Sequence, residues 1–138
     1  MSNKKVISKL LAIGTAVTVI IASSITAFAS GVIFLRYTGM AGSCGYSGEA
    51  YINKGYESGS YDTVGAFISS VQTADLSVRG YGTHDGGETR YWYSGGMAQT
   101  TDVGASAKAY VSIQQNVGTA YISSDDGDEQ YPFILYRQ

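Results

Sequence analysis

Residues able to do acid–base, nucleophilic or metal chemistry are few in this chain and widely scattered. His84 is the single histidine and Cys44 the single cysteine. His84 stands beside Asp85, with Glu88 four residues on, so a histidine–carboxylate relay is conceivable, since such groups assemble in space. No nucleophile sits in a recognisable setting for it. The chain has neither G-x-S-x-G nor H-E-x-x-H. "GSCGY" around Cys44 lacks the flanking pattern of a cysteine hydrolase. One cysteine and one histidine do not make a zinc site. A solvated turn is the simpler expectation for His84 and a buried thiol for Cys44. No enzyme activity, metal or cofactor is expected.

"SSDDGDEQ" (Ser123 to Gln130) gathers Asp125, Asp126, Asp128 and Glu129. The spacing misses the EF-hand loop and its terminal glutamate. It reads as a hairpin turn with Asp126-Gly127 at the corner and its charges in solvent. A weak calcium site shared with another acidic loop is the alternative.

The remaining candidate chemistry is recognition by aromatic and guanidinium groups. "RYWYSGG" (Arg90 to Gly96) places three aromatic residues in a row. Side chains of a strand alternate between faces, so one core cannot take all three. The Asp-Gly in "HDGG" (His84 to Gly87) is a tight-turn signal. A two-residue Asp85-Gly86 loop pairs Val78 with Tyr93, Gly80 with Tyr91, Arg79 with Trp92 and Tyr81 with Arg90. A turn at Gly86-Gly87 changes these partners but keeps every residue on its face. Tyr91 and Tyr93 then join Leu76 and Val78 on the core face. Arg79, Tyr81, Arg90 and Trp92 share the other. Cross-strand neighbours lie close enough to stack, and an exposed arginine over an indole is worth roughly 0.5–1 kcal/mol. These four residues are the candidate ligand-binding set. A flat aromatic ring beside planar donors suits a sugar ring and its hydroxyls, and arginine also suits carboxylates. A stack that only covers the sheet, and a contact between copies of the chain, are the competing expectations for the same face.

The elements that must carry this face are short strands. Residues 1–29 read as a secretory signal: Lys4, Lys5 and Lys9, an apolar stretch from about Leu10 to Ala22, then Ala27-Phe28-Ala29 as a cleavage site. The apolar stretch is short for a membrane span, so none is expected after processing. Residues 30–138 read as a single domain. Cleavage after Ala29 leaves 109 residues with six Lys/Arg, eleven Asp/Glu and a net charge of −5. That balance argues against a nucleic-acid partner and against docking on anionic membranes.

All twelve tyrosines and seventeen of the eighteen glycines follow the signal, while Pro132 is the only proline. Tyrosine favours strands and glycine favours turns. No segment after Ser30 holds a helical apolar period over three turns. Period-two alternation marks strands at "GVIFLRY", "GEAYINK", "VGAFISSVQ", "ADLSVRGYG", "ETRYWYS", "SAKAYVSIQ", "GTAYISS" and "YPFILYR". "YESGSYD" and "QTTDVGAS" read as loops. About eight short strands give an all-β fold, an antiparallel β-sandwich for preference over a barrel. The expected role is a secreted, non-enzymatic binding protein whose aromatic/arginine face meets extracellular glycan or cell wall. A bacteriocin-like antimicrobial protein and a structural or assembly protein of the cell surface are the alternatives.

Overall fold

The computed structural model describes residues 25–27, 31–84 and 88–137. The expected signal segment lies outside these residues except for Ile25–Ala27, and the Asp85–Gly87 turn lies outside them too. Every strand is antiparallel to its neighbours, as the alternation predicts. The strands are β1 (Ile25–Ala27), β2 (Val32–Ala41), β3 (Cys44–Asn53), β4 (Asp62–His84), β5 (Thr89–Ala109), β6 (Gln115–Ser124) and β7 (Gly127–Tyr136). A 3-10 turn, Tyr56–Ser58, sits in the β3–β4 connection, where "YESGSYD" predicts a loop.

These seven strands form one continuous sheet in the order β1-β2-β3-β4-β6-β7, with β5 along β4. The sheet curls until it is nearly barrel-shaped. Four of the eight expected strands fuse into two long ones, which leaves six, and β1, within the segment read as signal, makes seven among the described residues. "VGAFISSVQ" and "ADLSVRGYG" are the two halves of β4. "ETRYWYS" from Thr89 on and the first four residues of "SAKAYVSIQ" lie in β5, and so does "QTTDVGAS", which is strand rather than loop. The physical reason is the partner strand. Gly104 pairs with Phe67, Val103 with Ile68 and Ala105 with Ala66, so the polar segment completes a ladder. Val103, Ala105 and Ala107 also pack against the core.

The fused strands bend where their ladder slips, between Ser69 and Ala74 and again before Leu76. Extra residues in one strand of a pair tighten its twist and bend it. At the bend Gln99 adopts a left-handed φ of 50°. Its backbone N–H donates to Asp75 Oδ1 at 3.0 Å. The bend lets β4 pair with β3 along its first half and with β6 along its second.

The core lies inside the curl. Leu76 and Val78 point inward as expected, with Ile33, Leu35, Ala50, Ile52, Ile122 and Leu135. Tyr93 is buried among them and Tyr91 packs partly against them. Tyr37 stacks on Tyr131 at 4.4 Å between centroids. Two glycines make room for rings: Gly80 pairs with Gly118. A Cβ at Gly80 would meet the Tyr93 hydroxyl at 2.5 Å, and one at Gly118 would meet the Phe133 ring at 2.7 Å.

Three polar groups tie the curl together. Asn116 is fully buried and accepts from the Tyr93 hydroxyl at 2.6 Å. Its Nδ2 donates to Tyr51 O at 3.0 Å and Gly65 O at 2.8 Å, linking β6 to β3 and β4. Asp62, also buried, accepts from Tyr56 N, Ile113 N and the Arg137 guanidinium at 2.8–2.9 Å. At the opposite end Asp126 accepts from Ser43 N and Ser43 Oγ. Asp126 is thus a clamp between two turns. The hairpin corner falls on Asp125 and Asp126, one residue before the expected Asp126-Gly127, because Ser124 pairs with Gly127.

Candidate functional site

The structure brings Arg79, Tyr81, Arg90 and Trp92 to one face of the sheet, on the outside of the curl. The partners differ from those of the Asp85-Gly86 turn. His84 pairs with Thr89, so Tyr81 faces Trp92, Gly80 faces Tyr93, Arg79 faces Ser94 and Thr83 faces Arg90. This register differs from that of an Asp85-Gly86 loop. It shifts pairs by two residues, and a shift of two preserves faces. The inner ring lying over Gly80 is therefore Tyr93 rather than Tyr91.

Registers place Trp92, Tyr81, Val117 and Ile134 in one row across β5, β4, β6 and β7. The next row is Ser94, Arg79, Thr119 and Pro132. All of these but Ser94 line a groove of about 510 Å³, with Gly80, Gly118 and Phe133 at its floor. β-branched Val117, Thr119 and Ile134 suit strands. Pro132 lacks an amide hydrogen and is confined to edges or bulges. It lies on β7, the last strand in the sheet order.

Tyr81 and Trp92 rings lie 4.8 Å apart, tilted by 55°. The Arg90 guanidinium lies 4.5 Å from the Tyr81 centroid and 5.9 Å from that of Trp92. Trp92 is nevertheless 62 % exposed, with Ile134 41 % and Tyr136 50 % exposed on the same face. The indole is thus held in place at its edge and open over its surface. Arg79 is exposed on the groove wall and makes no ion pair among the described residues. Thr83, beyond Tyr81 on this face, is buried, and its Oγ1 has no hydrogen-bond partner.

The β6 and β7 side of the groove is not legible in the sequence. Val117 precedes the segment assigned to "GTAYISS", and Ile134 and Pro132 read as ordinary strand residues. Their alternation in β6 and β7 was the available signal, but only the sheet order sets these strands beside β4.

The other chemistry-bearing residues stay apart. Cys44 is 1 % exposed, with its Sγ near the carbonyls of Gly45 and Gln72. The His84 Nδ1 lies 2.7 Å from Ser112 O. No group of three His, Cys, Asp or Glu residues is arranged to hold a metal among the described residues. In the acidic hairpin, Asp126 is committed to Ser43 and Asp128 accepts from Ser123, so these charges are not simply solvated as expected. Glu129 points inward and is 8 % exposed. Burial raises its carboxyl to about 7. Burial likewise pushes the phenols of Tyr37, Tyr46 and Tyr93 up.

Among the described residues no helix is long and apolar enough to cross a membrane. Comparison with known proteins gives no matching family model, no matching curated protein and no matching solved structure.

Proposed function

We propose that this chain is an exported, non-enzymatic binding protein that takes carbohydrate on the outer face of β4–β7. The single observation that supports the reading most is the Trp92 ring, fixed beside Tyr81 and Arg90 yet 62 % exposed. Stacking geometry held in advance lowers the ordering cost of binding. The groove beside it is apolar at its floor and carries hydroxyl and guanidinium groups at its margin. Recognition sites typically combine an apolar surface with a few placed polar groups. Export rests on the signal grammar of residues 1–29.

Pull-down on purified cell wall and on soluble glycans tests this function. The folded domain is retained, and Trp92→Ala abolishes retention. Retention unchanged by Trp92→Ala would remove the platform from the account. A second reading, assembly between copies, is favoured by one observation. Among the described residues β5 pairs only with β4 along its length, and an unpaired strand edge is a template for another chain. Solution mass settles that reading: a concentration-independent monomer excludes it. A bacteriocin-like role predicts growth inhibition by the purified domain, and its absence across a broad panel of strains counts against that role.

A further inference from the structure

We infer that the groove is selective for acidic glycans, with Arg79 reading an oxyanion and Arg90 serving as a fixed part of the platform. This inference rests on the carbohydrate reading above and adds the charge class of the ligand.

The two arginines of the face are differently placed. Arg90 lies against both aromatic rings. Its flat surface is committed there, which makes it a positioning residue for Trp92. Arg79 lies one row further along, on the wall of the groove between Ser94 and Thr119. Arg36 pairs with Glu49, Arg137 with Asp62 and Glu57, and Lys108 lies over the Tyr61 ring, while Lys54 does not line the groove. Arg79 has no such commitment among the described residues.

The surroundings of Arg79 are free of competing negative charge. The strand segments that build the face are residues 77–83, 90–96, 115–121 and 130–136, and none contains Asp or Glu. The chain as a whole carries eleven acidic residues against nine basic ones. Glu129 borders the β7 segment but its side chain lies on the inner face beside Ile122; on the groove's own face the nearest acids along β4 and β7 are Asp75 and Asp128, and both already accept hydrogen bonds, from Gln99 and Ser123. A cationic, carboxylate-free groove in a net acidic protein is complementary to an anion. It disfavours an uncharged ligand only by leaving the guanidinium without a partner. The planar guanidinium fork matches a carboxylate or a phosphate with two parallel hydrogen bonds. The neighbouring Trp92 ring would take the sugar face next to that group. Uronic-acid glycans and sugar-phosphate or glycerol-phosphate polymers present the same oxyanion chemistry, and binding assays separate them.

The test uses three oligomers of matched length: oligogalacturonate, a glycerol-phosphate oligomer and a neutral galactan oligomer. Binding is measured by titration calorimetry and by fluorescence of Trp92, the only tryptophan. At least one acidic oligomer binds about tenfold or more tighter than the neutral one, and which of the two does so identifies the oxyanion. Rising salt narrows the difference. Arg79→Gln brings the ratio of acidic to neutral affinity close to one, whereas Trp92→Ala weakens all binding. Arg79→Lys restores part of the preference, since it keeps the charge but loses the fork. Equal affinity for acidic and neutral oligomers, with both dependent on Trp92, overturns the charge assignment and leaves the platform intact. Binding to none of the three, or binding that ignores Trp92→Ala, overturns the platform as well. Circular dichroism and melting temperature of each variant confirm that the exposed substitutions leave the fold unchanged.

Discussion

Tyr93 and Trp92 are neighbours in sequence with opposite fates, and the two-residue strand period is the cause. Tyr93 sits inside the curl over Gly80 and donates to Asn116. Trp92 sits outside, beside Tyr81. Replacing Tyr93 by Phe keeps the ring but strands a buried Asn116 acceptor, so it should cost about 1–3 kcal/mol in urea unfolding. Glu129 gives a second residue-scale test. Its inward carboxyl titrates near 7, above the ordinary value of 4.5, because burial disfavours the charged form. The folded chain therefore holds that proton more tightly than the unfolded chain. This contribution to stability is complete below the ordinary value and is lost as pH rises through about 7. Urea midpoints at pH 5 and pH 8 should show the decline, and Glu129→Gln should flatten that part of it. The alternation of "RYWYSGG" was enough to divide the aromatics between faces. The partner of each residue was not legible, because a turn at Gly86-Gly87 and one at Asp85-Gly86 give the same faces in different registers.

At the scale of elements, β4 and β5 decide the architecture. A polar, glycine-bearing segment such as "QTTDVGAS" has every local mark of a loop. It becomes strand because β4 offers it a continuous ladder and the ladder slips only at Ser69–Leu76. Such pairing is set by tertiary neighbours, which override local propensity. The same bend explains why the groove could be only half read: β4 and β5 share a hairpin, whereas β6 reaches β4 after a long detour through β5. The close approach of β4 to β6 depends on Gly80 and Gly118. A Cβ at Gly118 would stand 2.5 Å from Arg79 O as well as against Phe133. Gly118→Ala should therefore destabilise by about 1–3 kcal/mol through overpacking. Its chemical-denaturation midpoint is the measure, and a stability equal to wild type would show that the strands separate at no cost.

Across the whole molecule, the curl is closed by contacts far apart in sequence. Arg137, the residue after β7, reaches Asp62 at the start of β4 and Glu57 in the β3–β4 connection. The Asp62 side chain is completely buried and that of Arg137 nearly so. Removing one partner of a buried pair leaves the other charge uncompensated. Arg137→Met should accordingly lower stability by about 3–5 kcal/mol in thermal or urea unfolding. Neither the pair nor Asn116 was singled out in the sequence, since their partners lie 75 and up to 65 residues away. What composition did carry was the class of fold: tyrosine, glycine and period-two alternation without a helical period lead to antiparallel strands throughout. The absence of a disulfide places the burden of stability on this core and its three polar ties.

If ligand sits on the outer face of β4–β7 over Trp92, the indole must become covered when ligand binds. Acrylamide quenching of the single tryptophan, with and without a soluble wall glycan that the protein retains, tests it most directly. Ready quenching in the free protein and clear protection on binding are the expected results. Retention of the glycan with Trp92 quenched as freely as before would contradict it.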